Sequence, residues 1–246
     1  MRTLAIAVVW LMAICGVAAA ADMSRPPPVY KAPIEPQPYM GWSGFYVGVN
    51  VGGGIGLGQS DFSIAGVPAF ATAHNTLSGA IGGGQIGFNW QTGMTVVGVE
   101  TDFQGSGLKG SLTAPCLPGL CGIPLSATYS QKVSWFGTAR GRLGVASNGW
   151  LIYATGGYAY ARLDTDAMAV AGASSASLGL HETRNGWTAG GGIEVAFAPG
   201  WSAKLEYLYL DFGRESTTWT LGALPSITDD ARFTMNVVRA GVNYRF

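Results

Sequence analysis

The feature that most constrains this chain is an alternation of apolar and polar residues with a period of two. Near the end, Val238, Ala240, Val242, Tyr244 and Phe246 alternate with Arg239, Gly241, Asn243 and Arg245. A period of two puts successive side chains on opposite faces of a strand, here one greasy and one wet. Seven further segments repeat it, near 43–55, 78–90, 94–104, 131–145, 150–162, 185–198 and 201–212. Apolar faces read as Phe45, Val47, Val49 and Val51, then Ile86, Phe88 and Trp90, then Val97, Val99 and Phe103. In the fourth segment Val133, Trp135, Ala139, Leu143 and Val145 oppose Lys132, Ser134, Thr138, Arg140 and Arg142. The fifth alternates least clearly; its favoured reading puts Ile152, Ala154, Tyr158 and Tyr160 outside and Tyr153 and Thr155 inside. Trp187, Ile193 and Val195 oppose Thr188 and Glu194, and Leu205, Tyr207 and Tyr209 oppose Lys204 and Glu206.

Composition says what the greasy faces meet. Charged residues make up 11% of the chain, against about 25% in soluble domains. Beyond residue 21 no apolar run approaches the ~20 residues of a membrane helix. A closed barrel facing lipid satisfies both facts, because every backbone group is paired within the wall. The formal charge is zero, which gives nucleic acid no support as a partner.

Residues 1–21 read as a secretory signal peptide: Arg2, an apolar run from Leu4 to Cys15, and Ala19-Ala20-Ala21 before Asp22. Residues 22–40 hold Pro26, Pro27, Pro28, Pro33, Pro36 and Pro38 and read as an extended periplasmic tether. The barrel domain is then 41–246. Cys116 and Cys121 would lie in an oxidising compartment, where a small loop disulfide is expected.

The connections alternate in length. Short turns fall at 91–93, 146–149 and 199–200, with Asn148-Gly149 and Pro199-Gly200 as turn formers. Long Ser-, Ala-, Gly- and Thr-rich stretches fall near 56–77, 105–130, 163–184 and 213–230 and read as loops. With an even strand count, this predicts an all-β fold: a transmembrane eight-stranded antiparallel up-and-down β-barrel with periplasmic turns and external loops. Two aromatic belts are expected, Trp42, Trp90, Trp150, Trp201 and Phe246 at the periplasmic rim and Phe103, Trp135, Tyr160, Trp187 and Tyr209 at the outer rim.

A carboxyl-terminal Phe closing such a strand resembles the sorting signal of outer-membrane barrels, which implies that Phe246, Tyr244 and Val242 are read by the assembly machinery. The segments 41–50 (GWSGFYVGVN), 82–91 (GGGQIGFNWQ), 135–144 (WFGTARGRLG), 186–190 (GWTAG) and 201–213 (WSAKLEYLYLDFG) resemble the outer-membrane immunogenic proteins of rhizobial and related bacteria. These are small barrels of the porin superfamily, similar to the transmembrane domain of outer membrane protein A. The resemblance implies an abundant, antigenic eight-stranded surface barrel; a monomer in the outer membrane is expected. It also implies lipid and lipopolysaccharide around it and periplasmic chaperones on its route. It implies no settled activity; relatives are described as porin-like or haem-binding.

Glu100, Asp102, Lys132, Arg140, Arg142, Glu194, Lys204, Glu206 and Arg239 are expected to face the interior. Eight strands leave room only for side chains, so the expected arrangement is an ion-paired plug, Arg140 and Arg142 meeting Glu100 and Asp102. The alternative is a selectivity lining for a narrow porin. Gly82-x-Gly84-x-x-Gly87 matches a dinucleotide fingerprint only formally, since it sits inside a strand pattern. The two histidines, His74 and His181, fall in expected loops, where they would serve as haem ligands in a further alternative. No serine–histidine motif accompanies Ser174, Ser175 and Ser177, so neither an enzyme nor a cofactor is expected.

Overall fold

The computed structural model describes residues 41–64, 67–115, 125–171, 174–219 and 227–246. The expected signal peptide, the tether and the Cys116–Cys121 pair lie outside the described residues. Eight strands run in chain order: β1 Gly44–Ile64, β2 Val67–Thr92, β3 Thr95–Pro115, β4 Leu125–Ser147, β5 Trp150–Ala171, β6 Ser174–Ala198, β7 Trp201–Trp219 and β8 Ile227–Arg245. Each pairs antiparallel with its sequence neighbours, and β1 closes on β8 from Tyr46/Arg245 to Ile64/Ile227. At one end, the turn end, the hairpins are tight. Asn148 and Gly149 both take positive φ (47° and 82°), the conformation of a two-residue turn whose twist suits the flanking strands.

The facing of the turn-end half follows the alternation. Phe45, Val49, Phe88, Val99, Leu143, Ile152 and Leu205 are exposed on the outer wall, and Tyr46, Asn50, Gln85, Glu100, Arg142, Tyr153 and Glu206 are buried inside. In β5, Tyr153 and Thr155 point inward and Ile152, Ala154 and Tyr158 outward.

The far half corrects the sequence reading. The expected long loops are mostly strand, and β1, for example, stays paired with β2 as far as Ile64/Val67, with one shift of register after Phe62. Beyond the membrane both faces of a hairpin meet water, so the apolar alternation fades while the backbone ladder continues. Strands of 19 to 26 residues are about twice the 9–11 that span a bilayer. Bulges interrupt the ladder at Gly105/Leu108, Val133/Trp135 and Asp211/Arg214, close to the outer aromatic residues; the one in β4 re-aims the side chains beyond it, whereas β3 keeps its facing, with Gln104 and Leu108 both buried.

The wall also opens at two places. Among the described residues, β6 and β7 pair only from Ala198/Trp201 to Trp187/Asp211. Likewise β2 and β3 pair only as far as Ser78/Lys109. The far half is therefore two four-stranded sheets, β3-β4-β5-β6 and β7-β8-β1-β2, joined at their bases by the barrel.

Candidate functional site in the barrel lumen

The middle of the lumen is an ionic layer. Arg140, in the barrel half of β4, touches three carboxylates. Its Nη2 bonds Glu100 and lies 3.0 Å from Asp102 Oδ2, and its Nη1 lies 3.1 Å from Glu206 Oε1. Arg239 on β8 reaches Glu206 Oε2 at 2.6 Å and Asp102 Oδ2 at 3.1 Å. Lys204 Nζ sits 3.1 Å from Glu100 Oε1. Arg142 joins Glu194 at 2.8 Å and Glu100 at 3.5 Å. Neutral donors fill the remaining lone pairs: Tyr46 Oη donates to Glu100 (2.8 Å), Thr138 to Asp102 (2.6 Å), Tyr153 to Glu206 (3.0 Å), and Ser202 and Asn243 to Glu194 (2.6 and 2.8 Å). Four cations meet four carboxylates, and the side chains of Arg140, Glu100, Asp102, Glu206, Lys204 and Arg239 have no solvent-exposed surface. Charges so buried are tolerable only when paired and hydrogen-bonded.

Two tyrosines lie across this layer because glycine faces them. Tyr46 stands in register with Gly87 and Tyr153 with Gly192. A Cβ at Gly192 would stand 2.7 Å from Tyr153 Oη, and one at Gly87 would strike the Tyr46 ring. The Gly82-to-Gly87 run is thus strand β2 making room for a ring, with no helix after it. The Arg142 guanidinium stacks 3.9 Å over the Tyr153 ring, an attractive arrangement for a desolvated cation.

Apolar layers flank the ionic layer on both sides. At the turn end Trp42 is fully buried with Val96, Ala146, Leu151 and Tyr153. Its backbone N–H donates to Gln91 Oε1 (2.5 Å), and the Arg245 guanidinium lies 4.5 Å from its ring. Trp42 is therefore not in the aromatic belt: the segment before β1 folds under the barrel mouth and turns its ring inward. Beyond the ionic layer lies a larger apolar cluster that includes Leu77, Leu108, Val133, Phe136, Leu208, Leu210, Phe233 and Met235. The strict inside-polar expectation misses this layer. Its trace is loss of contrast in the alternation, as in Trp135-Phe136 and Tyr207-Leu208-Tyr209-Leu210.

The structure brings together eight of the nine residues expected in the interior and excludes one. Lys132 is exposed on the outer wall. The bulge between Val133 and Trp135 reverses the facing of β4, so Val133 turns in and Lys132 out. Removing Lys132 balances the ionic layer. Trp90, Trp150, Trp201 and Phe246 are exposed at the turn end, where Trp201, Tyr244 and Phe246 form a run of ring contacts at 5.0 and 5.1 Å. At the outer rim Phe103, Trp135 and Tyr160 touch in sequence at 5.6 and 6.0 Å, and Trp187 meets Tyr209 at 5.5 Å.

His74 and His181 are on strands, not in loops. His74 is in register with Gln59, and His181 with Asp164 on the outer wall, where its Nδ1 is 2.7 Å from Asp164 Oδ1. They belong to different sheets, β2 and β6. A hydrogen bond from Ser134, then those of His181 and Arg162, hold the Asp164 carboxyl below its usual range. Across the β6–β7 opening, Glu215 is raised by a hydrogen bond with Glu182, while Arg184 bridges the two at 3.2 and 3.4 Å. Among the described residues no three His, Cys, Asp or Glu side chains gather as a metal site.

Residues 7–246 match the family described as outer membrane protein beta-barrel domain. The chain is 34% identical over 247 residues to the 31 kDa outer-membrane immunogenic protein of Brucella melitensis, covering 96% of this chain and 95% of that one. It is 28% identical to the 22 kDa outer membrane protein of Rhizobium leguminosarum, covering 88% and 82%. Among solved structures, the outer membrane protease OmpT of Escherichia coli superposes with a TM-score of 0.56 at 9% identity, covering 82% of this chain and 97% of that chain; this likeness is one of fold. Closed eight-stranded wall, lipid-facing aromatic belts and matches over nearly the full length agree: the protein belongs to the outer membrane protein β-barrel domain family, with the outer-membrane immunogenic proteins of Brucella among its relatives, and resides in the outer membrane.

Proposed function

We propose that this protein is a sealed surface barrel, whose membrane half anchors two external β-sheets and whose lumen passes nothing by diffusion. The observation that carries the reading is the balanced ionic layer, with its central side chains wholly buried between Trp42 on one side and the Phe136–Leu208–Phe233 cluster on the other. A conducting path would need water through all three layers, and the apolar ones offer it no hydrogen bonds. By the usual orientation of such barrels, with short turns in the periplasm, the two sheets stand outside the cell. The same reading has the chain as a monomer without catalytic activity, delivered by periplasmic chaperones, inserted through recognition of Phe246, Tyr244 and Val242, and surrounded by lipopolysaccharide. Liposome swelling tests the seal. Vesicles carrying the refolded protein should swell in isosmotic small sugars and salts no faster than empty vesicles. Swelling at a porin's rate would support the narrow-porin alternative instead.

A further inference from the structure

The chain just before β1 does not run along the wall. The ladder starts at the rung Gly44/Asn89 toward β2 and at Tyr46/Arg245 toward β8, so among the described residues 41–43 make no rung with either neighbour. Gly44 takes φ +132°, a conformation that residues other than glycine rarely adopt. A Cβ there would stand 3.0 Å from the Phe246 carbonyl oxygen. At this residue the backbone leaves the wall and carries Trp42 into the mouth, where its ring is buried with Val96, Ala146, Leu151 and Tyr153. Catches on the rim hold it there. Gln91 Oε1 accepts the Trp42 N–H (2.5 Å), and the Gln91 N–H donates to Ser43 Oγ (2.9 Å). The Arg245 guanidinium donates to the Gly41 carbonyl (2.7 Å) and lies against the indole.

The layer that the ring covers is unevenly satisfied. Asn89 is the first inward residue of β2 deeper than Gln91; it is 1% exposed, and neither atom of its amide has a hydrogen-bond partner. Polar side chains deeper in the lumen are better served: Asn50 donates to Gln85, Gln85 to Asn243 (2.7 Å) and Asn243 to Glu194 (2.8 Å). A buried amide left unpaired carries its full desolvation penalty, which water reaching it would remove. Seating Trp42 therefore sets two terms against each other, burial of an indole and isolation of an amide. Both act on a segment that can leave without breaking a rung of the ladder, and segments outside the ladder open most readily.

We infer that residues 41–43 are a reversible plug, hinged at Gly44, that swings out of the turn end and admits water to the polar half of the lumen as far as the ionic layer. The far cluster around Phe136, Leu208 and Phe233 stays in place, so the opening is one-sided. Gln91 and Arg245 are the catches, and the Asn89 amide biases the plug toward release. The inference goes beyond the sealed-barrel reading and depends on neither the orientation of the barrel nor its conductance.

The test measures access to a cysteine under the plug. The detergent-refolded full chain, with Cys15, Cys116 and Cys121 replaced by serine, receives either Ala146→Cys, packed with Trp42, or Met235→Cys, in the far cluster. A small water-soluble methanethiosulfonate should label the folded, heat-modifiable Ala146→Cys protein at least 10-fold faster than the Met235→Cys protein. Adding Asn89→Leu, a side chain of similar shape that needs no partner, should slow this labelling at least 10-fold. Adding Gln91→Leu, which removes a catch at the rim and leaves the covered layer intact, should speed it at least 10-fold. The plug is overturned if the two cysteine proteins label at the same rate, which marks opening of the whole barrel. It is equally overturned if the Ala146→Cys protein resists labelling until it unfolds, or if Asn89→Leu and Gln91→Leu leave the rate unchanged. Liposome swelling reports the seal separately, because the far cluster closes the lumen whether or not the plug moves.

Discussion

Arg140 touches Glu100, Asp102 and Glu206 at once, so its loss strands three buried carboxylates. Removing one member of a buried pair costs about 3–5 kcal/mol because the partner charge remains. Arg140→Ala should therefore lower the temperature at which the folded gel band converts to the unfolded one, whereas Lys132→Ala, on the outer wall, should leave it unchanged. A matched drop for both variants would contradict the facing of β4. Gly87→Val probes the layer from the opposite wall. Its side chain would occupy the space of the Tyr46 ring, whose hydroxyl donates to Glu100 and accepts from Arg142 at 2.7 Å. Overpacking of this kind costs about 1–3 kcal/mol and should show as a lower urea midpoint in detergent.

At the level of elements, the half of each strand between lipid and lumen is readable from alternation alone, because the two environments differ so sharply. Strand β5 is the least clear for a physical reason: Gly156 and Gly157 interrupt its pattern, and only burial of Tyr153 and Ala159 settles the facing. Where the contrast between faces disappears, so does the signal. The far-half hairpins look like loops in the sequence, and the bulge that turns Lys132 outward leaves no mark in residue types. The openings between β6 and β7 and between β2 and β3 are invisible there as well, since pairing is a property of two strands. They make a measurable difference. Amides of β7 from Arg214 to Trp219 pair with β8 alone and those of β6 before Trp187 with β5 alone, so in each strand the amides directed across the opening have no ladder partner among the described residues. Hydrogen exchange should be much faster in β6 174–186 than in β6 187–198. The Glu182–Glu215 contact adds a pH dependence. The Glu215 carboxyl is raised in the folded protein, so the clasp favours its protonated form. That stabilisation is fully present at acid pH and is lost as pH rises through the raised value. Chemically corrected exchange near Glu215 should therefore be slower in acid than at neutral pH, and Glu182→Ala should erase the difference.

For the whole molecule, the strand number, the closed wall and the ionic layer are within reach of the sequence; the two apolar closures are not. Trp42 reads as a rim residue because its position before β1 suits a belt, and only the inward fold of residues 41–43 shows otherwise. Phe136, Leu208 and Met235 fall at inward positions of the alternation, where polar residues are expected, and together they form an apolar layer in the lumen. On the proposed reading those layers turn a charged interior, which alone would suit a selectivity filter, into the middle of a sealed stack. The most direct test is single-channel recording of the refolded protein in a planar bilayer. The account predicts a baseline without conductance steps at physiological voltages in molar salt. Stable, ohmic openings abolished by unfolding the protein would contradict it.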